Sequence, residues 1–456
     1  MNGSHIHSRI HPVWQASIAA CLASLCLCVT AGCDSTSAYY SPNQVEMELR
    51  DLNQDDPQSE KLRSEIADTL LALFGDPDAP NIFEKKEPID GEAQSPLEKF
   101  GFDSQLLNVA AGPAYNDKPG VQHGLYRLHC AHCHGVTGDG NGPTAPFLNP
   151  YPRDYRPGKF KFKSTFGSAK PTRDDLKRIL KNGIPGTAMP SFVLLPDNEL
   201  DALVEYVRYL AIRGETELRL ISYAADEDSL PEGGIAEIAG GFPLEMEEGI
   251  PSEEPEYENT VASIVYSWDS AVTQVVQPVT PYVPIITQSS DSNSKEVQES
   301  IDRGRELFYS AATKCATCHG DSAQGDGDLT NYDDWIELIY KPPGVNVGPD
   351  HEARMLALGA PPLRNIRPRN LRLGVFRGGR RPIDIYRRIF SGIHGSKMPA
   401  QGVEAGLEGD EVSDEDAGGA LKRQEIWDLV NYVLSLRYEP LSMPPKDAPG
   451  LDTTLR

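Results

Sequence analysis

The 456-residue chain is predicted to be mainly α-helical: two helical modules joined by an irregular, acidic and proline-rich linker. Three observations predict it. The hexapeptide CAHCHG at residues 130–135 returns as CATCHG at 315–320. The segments following each copy recur in the same order, which marks an internal duplication rather than two chance motifs. Apolar residues around both copies fall at helical spacing, and strand-like alternation is confined to one short stretch.

Composition sets outer limits. With 39% hydrophobic residues the chain can bury cores, while 40 glycines and 37 prolines promise much irregular structure. A formal charge of −24 excludes a nucleic-acid partner, because phosphates select basic surfaces. Such a surface either steers basic partners or simply keeps the chain soluble.

Residues 1–33 read as a targeting segment. Arg9 supplies a positive start, and no charged residue occurs from His11 to Cys33. Val13 to Ala31 has the length of a signal-peptide core and is short for a permanent membrane helix. The segment ends in TAGC, which resembles a bacterial lipobox, with Thr30 where that pattern usually has Leu. Cys33 would then be the lipid-bearing first residue of the mature chain. A simple cleaved signal or an uncleaved anchor are the alternatives. Each places the body outside the cytoplasm, with lipid or the N-terminal anchor holding it to the periplasmic face of a membrane.

Residues 34–118 read as a tether carrying a docking helix, about Ser59 to Phe74. Leu62, Ile66, Leu70, Leu73 and Phe74 repeat at helical spacing, and Gly75 with Pro77 stops the helix. Module one spans 119–213. A short helix containing Leu125 and Tyr126 leads into CAHCHG, and a helix opens at Thr172, where TRDD has capping-box form. That helix ends at Gly183; the loop GIPGTAMPSF and an amphipathic helix, DNELDALVEYVRYLAIRG, follow. The linker, 214–295, is acidic and then rich in Val, Pro and Ser. Pro278, Pro281 and Pro284 favour an extended spacer, and TVASIVYSWDS alternates as a strand would. Module two, 296–440, repeats the order with RGRELFYSAATKCATCHG, PRNLRLGVF, GIHGSKMPA and QEIWDLVNYVLSLRYEP. It differs mainly by an extra segment, 321–367, and a tail, 441–456, closes the chain.

The chemistry sits in the repeated signal. A structural zinc needs four ligands, which the two cysteine pairs could supply only jointly, and a redox dithiol is a further alternative. An exported chain in which histidine directly follows each pair instead points to covalent c-type haem, two in all. Cys130 and Cys133, then Cys315 and Cys318, would hold the vinyl groups, and His134 and His319 the iron. Met189 and Met398 stand at matched places before Pro and before the last helix of each module, as candidate sixth ligands. Histidine with methionine raises a haem's potential and closes it to exogenous ligands, which suits electron transfer. His394 and His351 are lesser candidates for the second iron; His129 and His132 are expected to face solvent.

Each module resembles a class I cytochrome c domain, and module one, from FKFKST to GIPGTAMPSF, is similar to bacterial multi-domain c-type cytochromes of respiratory chains. The resemblance implies two cytochrome c-like helical domains whose terminal helices cross through Leu125, Tyr126 and Tyr206 in one, Leu307, Phe308 and Tyr432 in the other. It further implies a proline carbonyl against each ligand histidine, from Pro146 and Pro362, and arginines toward the haem propionates, Arg153 and Arg369. Its partners would be a quinol-oxidising complex, a terminal oxidase or another cytochrome, with no bond-making chemistry and so no catalytic residue. A dihaem peroxidase, a haem-based sensor and a subunit that only docks a separate enzyme are the rival functions.

Overall fold

The computed structural model describes residues 38–53, 55–81, 101–118, 120–226, 230, 234–240, 260–288, 294–403 and 421–438. The targeting segment with Cys33, the acidic run 241–259 and the tail lie outside them. All that follows concerns the unit that runs from Tyr40 onward.

The described helices before the first strand are α1 (Gln44–Leu49), α2 (Pro57–Phe74) and α3 (Ser104–Ala110). Strands β1 (Tyr115–Lys118) and β2 (Val121–His123) pair antiparallel, the short α4 (Leu125–His129) leads into the signal, and α5 (Ala131–His134) lies within it. Next come α6 (Arg173–Asn182), α7 (Asp197–Ala224), α8 (Gly234–Gly240) and α9 (Thr260–Asp269). Module two holds α10 (Lys295–Tyr309), α11 (Cys315–His319), α12 (Asp334–Tyr340), α13 (His351–Ala357), α14 (Pro382–Ser391) and α15 (Arg423–Ser435).

Local sequence explains the boundaries. Thr172 caps α6 and Asp175 closes the reciprocal bond, as TRDD requires. Asp56 accepts from Gln58 and Ser59 at the start of α2, whose Leu62, Ile66, Leu70 and Phe74 are buried in the core shared with α7. α7 runs ten residues further than its amphipathic stretch suggested. Its later turns bury Arg213 and Glu217, paired at 3.0 Å, because the residues before α1 cover them: the Asn43 amide donates to Glu217 at 2.8 Å. The described N-terminal residues are therefore part of module one's core.

The expected strand TVASIVYSWDS is a correction: it forms α9. Its β-branched residues hid the helical spacing of Val261, Ile264, Val265 and Trp268, all buried. The stretch after it, 275–288, forms neither helix nor ladder, and it is not free. It lies along α15, held by Trp427 Nε1 to the Val279 carbonyl at 2.7 Å and the Ile286 amide to Asn431 at 2.9 Å.

In each module a helix entering the signal crosses the last helix. Tyr126 meets Tyr206 at 4.9 Å between ring centroids, and Phe308 meets Tyr432 edge-on at 5.3 Å. The crossing of α10 and α15 is close enough that Gly304 permits no side chain: a Cβ there would lie 2.1 Å from the Asp428 carbonyl oxygen. No described helix is long and apolar enough to cross a membrane. Gly304→Val is expected to destabilise module two by about 1–3 kcal/mol through overpacking. Thermal unfolding should show it, with little change for Gly348→Val, where nothing lies within 4 Å of a Cβ.

Candidate cofactor sites

Both hexapeptides fold as one helical turn. The His134 amide donates to the Cys130 carbonyl at 2.9 Å, and the Gly320 amide to Ala316 at 2.8 Å. The following loop then bends back: Gly140 N–H reaches the His134 carbonyl at 2.9 Å, as Gly325 reaches His319 at 2.8 Å. One turn thus presents two thiols and an imidazole together. The four cysteines of the two hexapeptides are free. Burial pushes the Cys130 thiol up to about 12 and raises Cys315 and Cys318, so they stay protonated and slow to form a disulfide.

The histidines are prepared as ligands. Nδ1 of His134 lies 3.0 Å from the Arg153 carbonyl, and Nδ1 of His319 lies 3.1 Å from that of Arg369. A carbonyl only accepts, so the proton sits on Nδ1 and the lone pair on Nε2. Burial lowers His134 to about 4 and moves His319 the same way, which keeps both rings neutral. Tyr155 stacks on the His134 ring at 4.7 Å.

This corrects the proline assignment. The acceptors are Arg153 and Arg369, not Pro146 and Pro362. The chain returns to the ring beside Tyr155, which stacks on it, whereas Pro146 sits in a 3-10 turn and its carbonyl takes Arg364 Nη2 at 3.1 Å.

The two methionine loops match atom for atom. The Ile184 amide donates to the Met189 carbonyl at 3.2 Å, and the Met189 amide to Thr187 Oγ1 at 3.1 Å. Ile393, Met398 and Ser396 repeat this at 3.1 and 3.3 Å. Met189 packs on the core containing Cys130 and Tyr155, and Met398 on the core that Cys315 borders. The two cysteine pairs therefore belong to separate cores, and among the described residues no group of three or more His, Cys, Asp or Glu is placed to hold a metal. The donor set of each core fits a covalently held haem c: two free thiols, a neutral imidazole and a thioether.

The remaining histidines fall outside this set. His351 is buried in the extra segment and donates from Nε2 to the Ile339 carbonyl at 2.8 Å. His394 stands edge-on to Trp335 at 5.6 Å, and burial, then Lys163, Lys159 and other cations, push it down to about 4. His132 is exposed as expected, but His129 is half-buried against Phe192. The Arg153 guanidinium lies over the Trp335 ring, 3.8 Å from its centroid, and Arg369 donates to the Val375 carbonyl at 3.0 Å. Trp335, Asp333 and Lys161 were not singled out from the sequence. Asp333 and Trp335 sit where the repeat breaks, and Lys161 of module one meets Asp333 across 172 positions.

Comparison with known proteins agrees with the duplication. Residues 122–207 match the family described as cytochrome c oxidase, cbb3-type, subunit III, and residues 301–437 match the cytochrome c family. A solved structure, the reducing HAO-like protein complex Kustc0457/Kustc0458 of Kuenenia stuttgartiensis, is similar at 20% identity, over 69% of this chain and 94% of that one, with a TM-score of 0.39. No protein of curated function matches.

Attachment is directly measurable. Pyridine haemochrome analysis should find two haems per chain, both retained after acid–organic extraction. Cys133→Ala should loosen the first and Cys318→Ala the second; one haem, or stoichiometric zinc, would sink this assignment.

Proposed function

The chain is a tandem class I c-type cytochrome, and from that premise we propose that it relays single electrons between redox partners outside the cytoplasm, with one haem c in each module. Haem c supplies one-electron exchange between ferric and ferrous iron. The chain's own residues set its potential and access. His134 and His319 stay neutral, oriented by their Nδ1 bonds, and offer Nε2. Met189 and Met398 would hold the iron through their thioethers, a ligand that favours the ferrous state and suits electron transfer over oxygen chemistry.

One observation carries this reading: the two methionine loops have the same hydrogen-bonded geometry in both modules. A peroxidase needs one site that is built differently, or that can open. A carrier needs two closed ones. The match of module one to a family named for an oxidase subunit supports a respiratory setting, with a terminal oxidase, a quinol-oxidising complex or another cytochrome as partner. A charge of −24 suits basic docking surfaces on those partners.

The test is spectroscopic. The oxidised protein should show near-infrared sulfur-to-iron absorption with the intensity of two haems. Met189→His and Met398→His should each remove half of it and lower one midpoint potential, because imidazole favours ferric iron more than a thioether does. Sulfur ligation at one haem only, with peroxide turnover once the protein is half-reduced, would give the function to the peroxidase alternative.

We also propose that Cys33 carries the membrane anchor as lipid. Cys33→Ser should release the protein from washed membranes. Retention as tight as the parent's would assign the anchoring to an uncleaved helix.

A further inference from the structure

The extra segment of module two lies between the modules. Asp333 caps α12 and takes Lys161 of module one in an ion pair, with Arg153 Nη2 at 3.9 Å. Trp335, in the first turn of α12, lies under the Arg153 guanidinium at 3.8 Å. Its indole also covers Gly395, where a Cβ would come within 2.2 Å of the ring. Lys397, next to Met398, ties the same loop to Asp334 at 2.6 Å and Glu337 at 3.1 Å. The first turn of α12 is therefore gripped on one side by Arg153 and on the other by the loop that presents Met398.

The reverse crossing exists as well. Arg369 lays both terminal nitrogens against Gly186, 3.0 Å from where a Cβ would stand, and Arg377 Nη2 reaches the Gly186 carbonyl at 3.4 Å. Gly186 and Gly395 are equivalent, each three residues before its methionine, with φ of 76° and 73°. Arg153 and Arg369 are equivalent too, and they are the residues whose carbonyls hold His134 and His319. Each crossing thus runs from the residue that orients the histidine of one module to the methionine loop of the other.

We propose that these two crossings make the iron–methionine bond of each site depend on the opposite module, so that the haems are tuned as a pair. This rests on the two-haem reading above. Arg153 acts through Trp335 on the Met398 loop, and Arg369 acts directly on the Met189 loop; all three are positioning residues. The chemistry is a planar guanidinium stacked on an indole in one direction and packed on bare glycine backbone in the other. Coupling through such contacts is reciprocal in free energy, so a change at either end is felt at both.

The test reads one haem while changing the other module. In a Met189→His background the only remaining sulfur band belongs to haem two. There Arg153→Ala should weaken or shift that band and lower haem two's midpoint potential, and Trp335→Leu should do the same. The double variant should go little further than either single one, since both cut the same link. In a Met398→His background, Arg369→Ala should act likewise on haem one. Arg153→Lys keeps charge and fold but loses the flat stack, and should resemble Arg153→Ala. The proposal is overturned if Arg153→Ala leaves haem two unchanged, if the Arg153 and Trp335 effects simply add, or if Arg153→Lys restores the parental band, which would make long-range charge the cause. A single haem per chain would defeat the underlying two-haem reading; two haems with an indifferent second band would defeat only the coupling.

Discussion

The hydrogen bond from a histidine Nδ1–H to a main-chain carbonyl is the constraint on which the rest depends. It decides the tautomer, aims Nε2, and requires the chain to return to the ring after leaving it. In module one the return takes 19 residues, and in module two it takes 50, because the extra segment intervenes. Both returns deliver an arginine carbonyl at nearly the same distance, 3.0 and 3.1 Å. The helix crossings, at Tyr126–Tyr206 and at Gly304, fix the wall against which that return is made.

The extra segment therefore lengthens the path without disturbing the end point. Its small core of Tyr340, Met355 and Ala360 packs with Val45 and Leu49 of the N-terminal region, and Arg364 reaches the Leu148 carbonyl of module one at 2.8 Å. A strongly acidic chain gathers cations at this junction. Burial pushes Lys161 down to about 8 and Lys163 to about 7, and lowers Arg377. Asp333 meets Lys161 there, and main-chain carbonyls of Gly167 and Ala169 take Lys163.

Much of this was legible in the sequence because it is local. C-x-x-C-H, the Met-Pro loops and the capping box at Thr172 each declare themselves within a few residues. What was not legible depends on distant chain. The family resemblance implied Pro146 and Pro362 as acceptors, but only the fold shows which carbonyl meets the ring. The helix α9 was hidden by β-branched residues whose burial decides their conformation. Arg213 and Glu217 look like solvent-facing charges until Asn43 is seen to cover them. Trp335 had no counterpart in module one, so the repeat that revealed the other site residues could not reveal it.

The central claim is that both sites are closed by methionine and pass electrons without binding small molecules. Carbon monoxide added to the fully reduced holoprotein tests it most directly, since it binds ferrous haem only where a position is open. The expected result is a visible spectrum unchanged at both haems. A carbon monoxide difference spectrum amounting to one haem per chain would contradict the account and mark that module as the seat of a reaction.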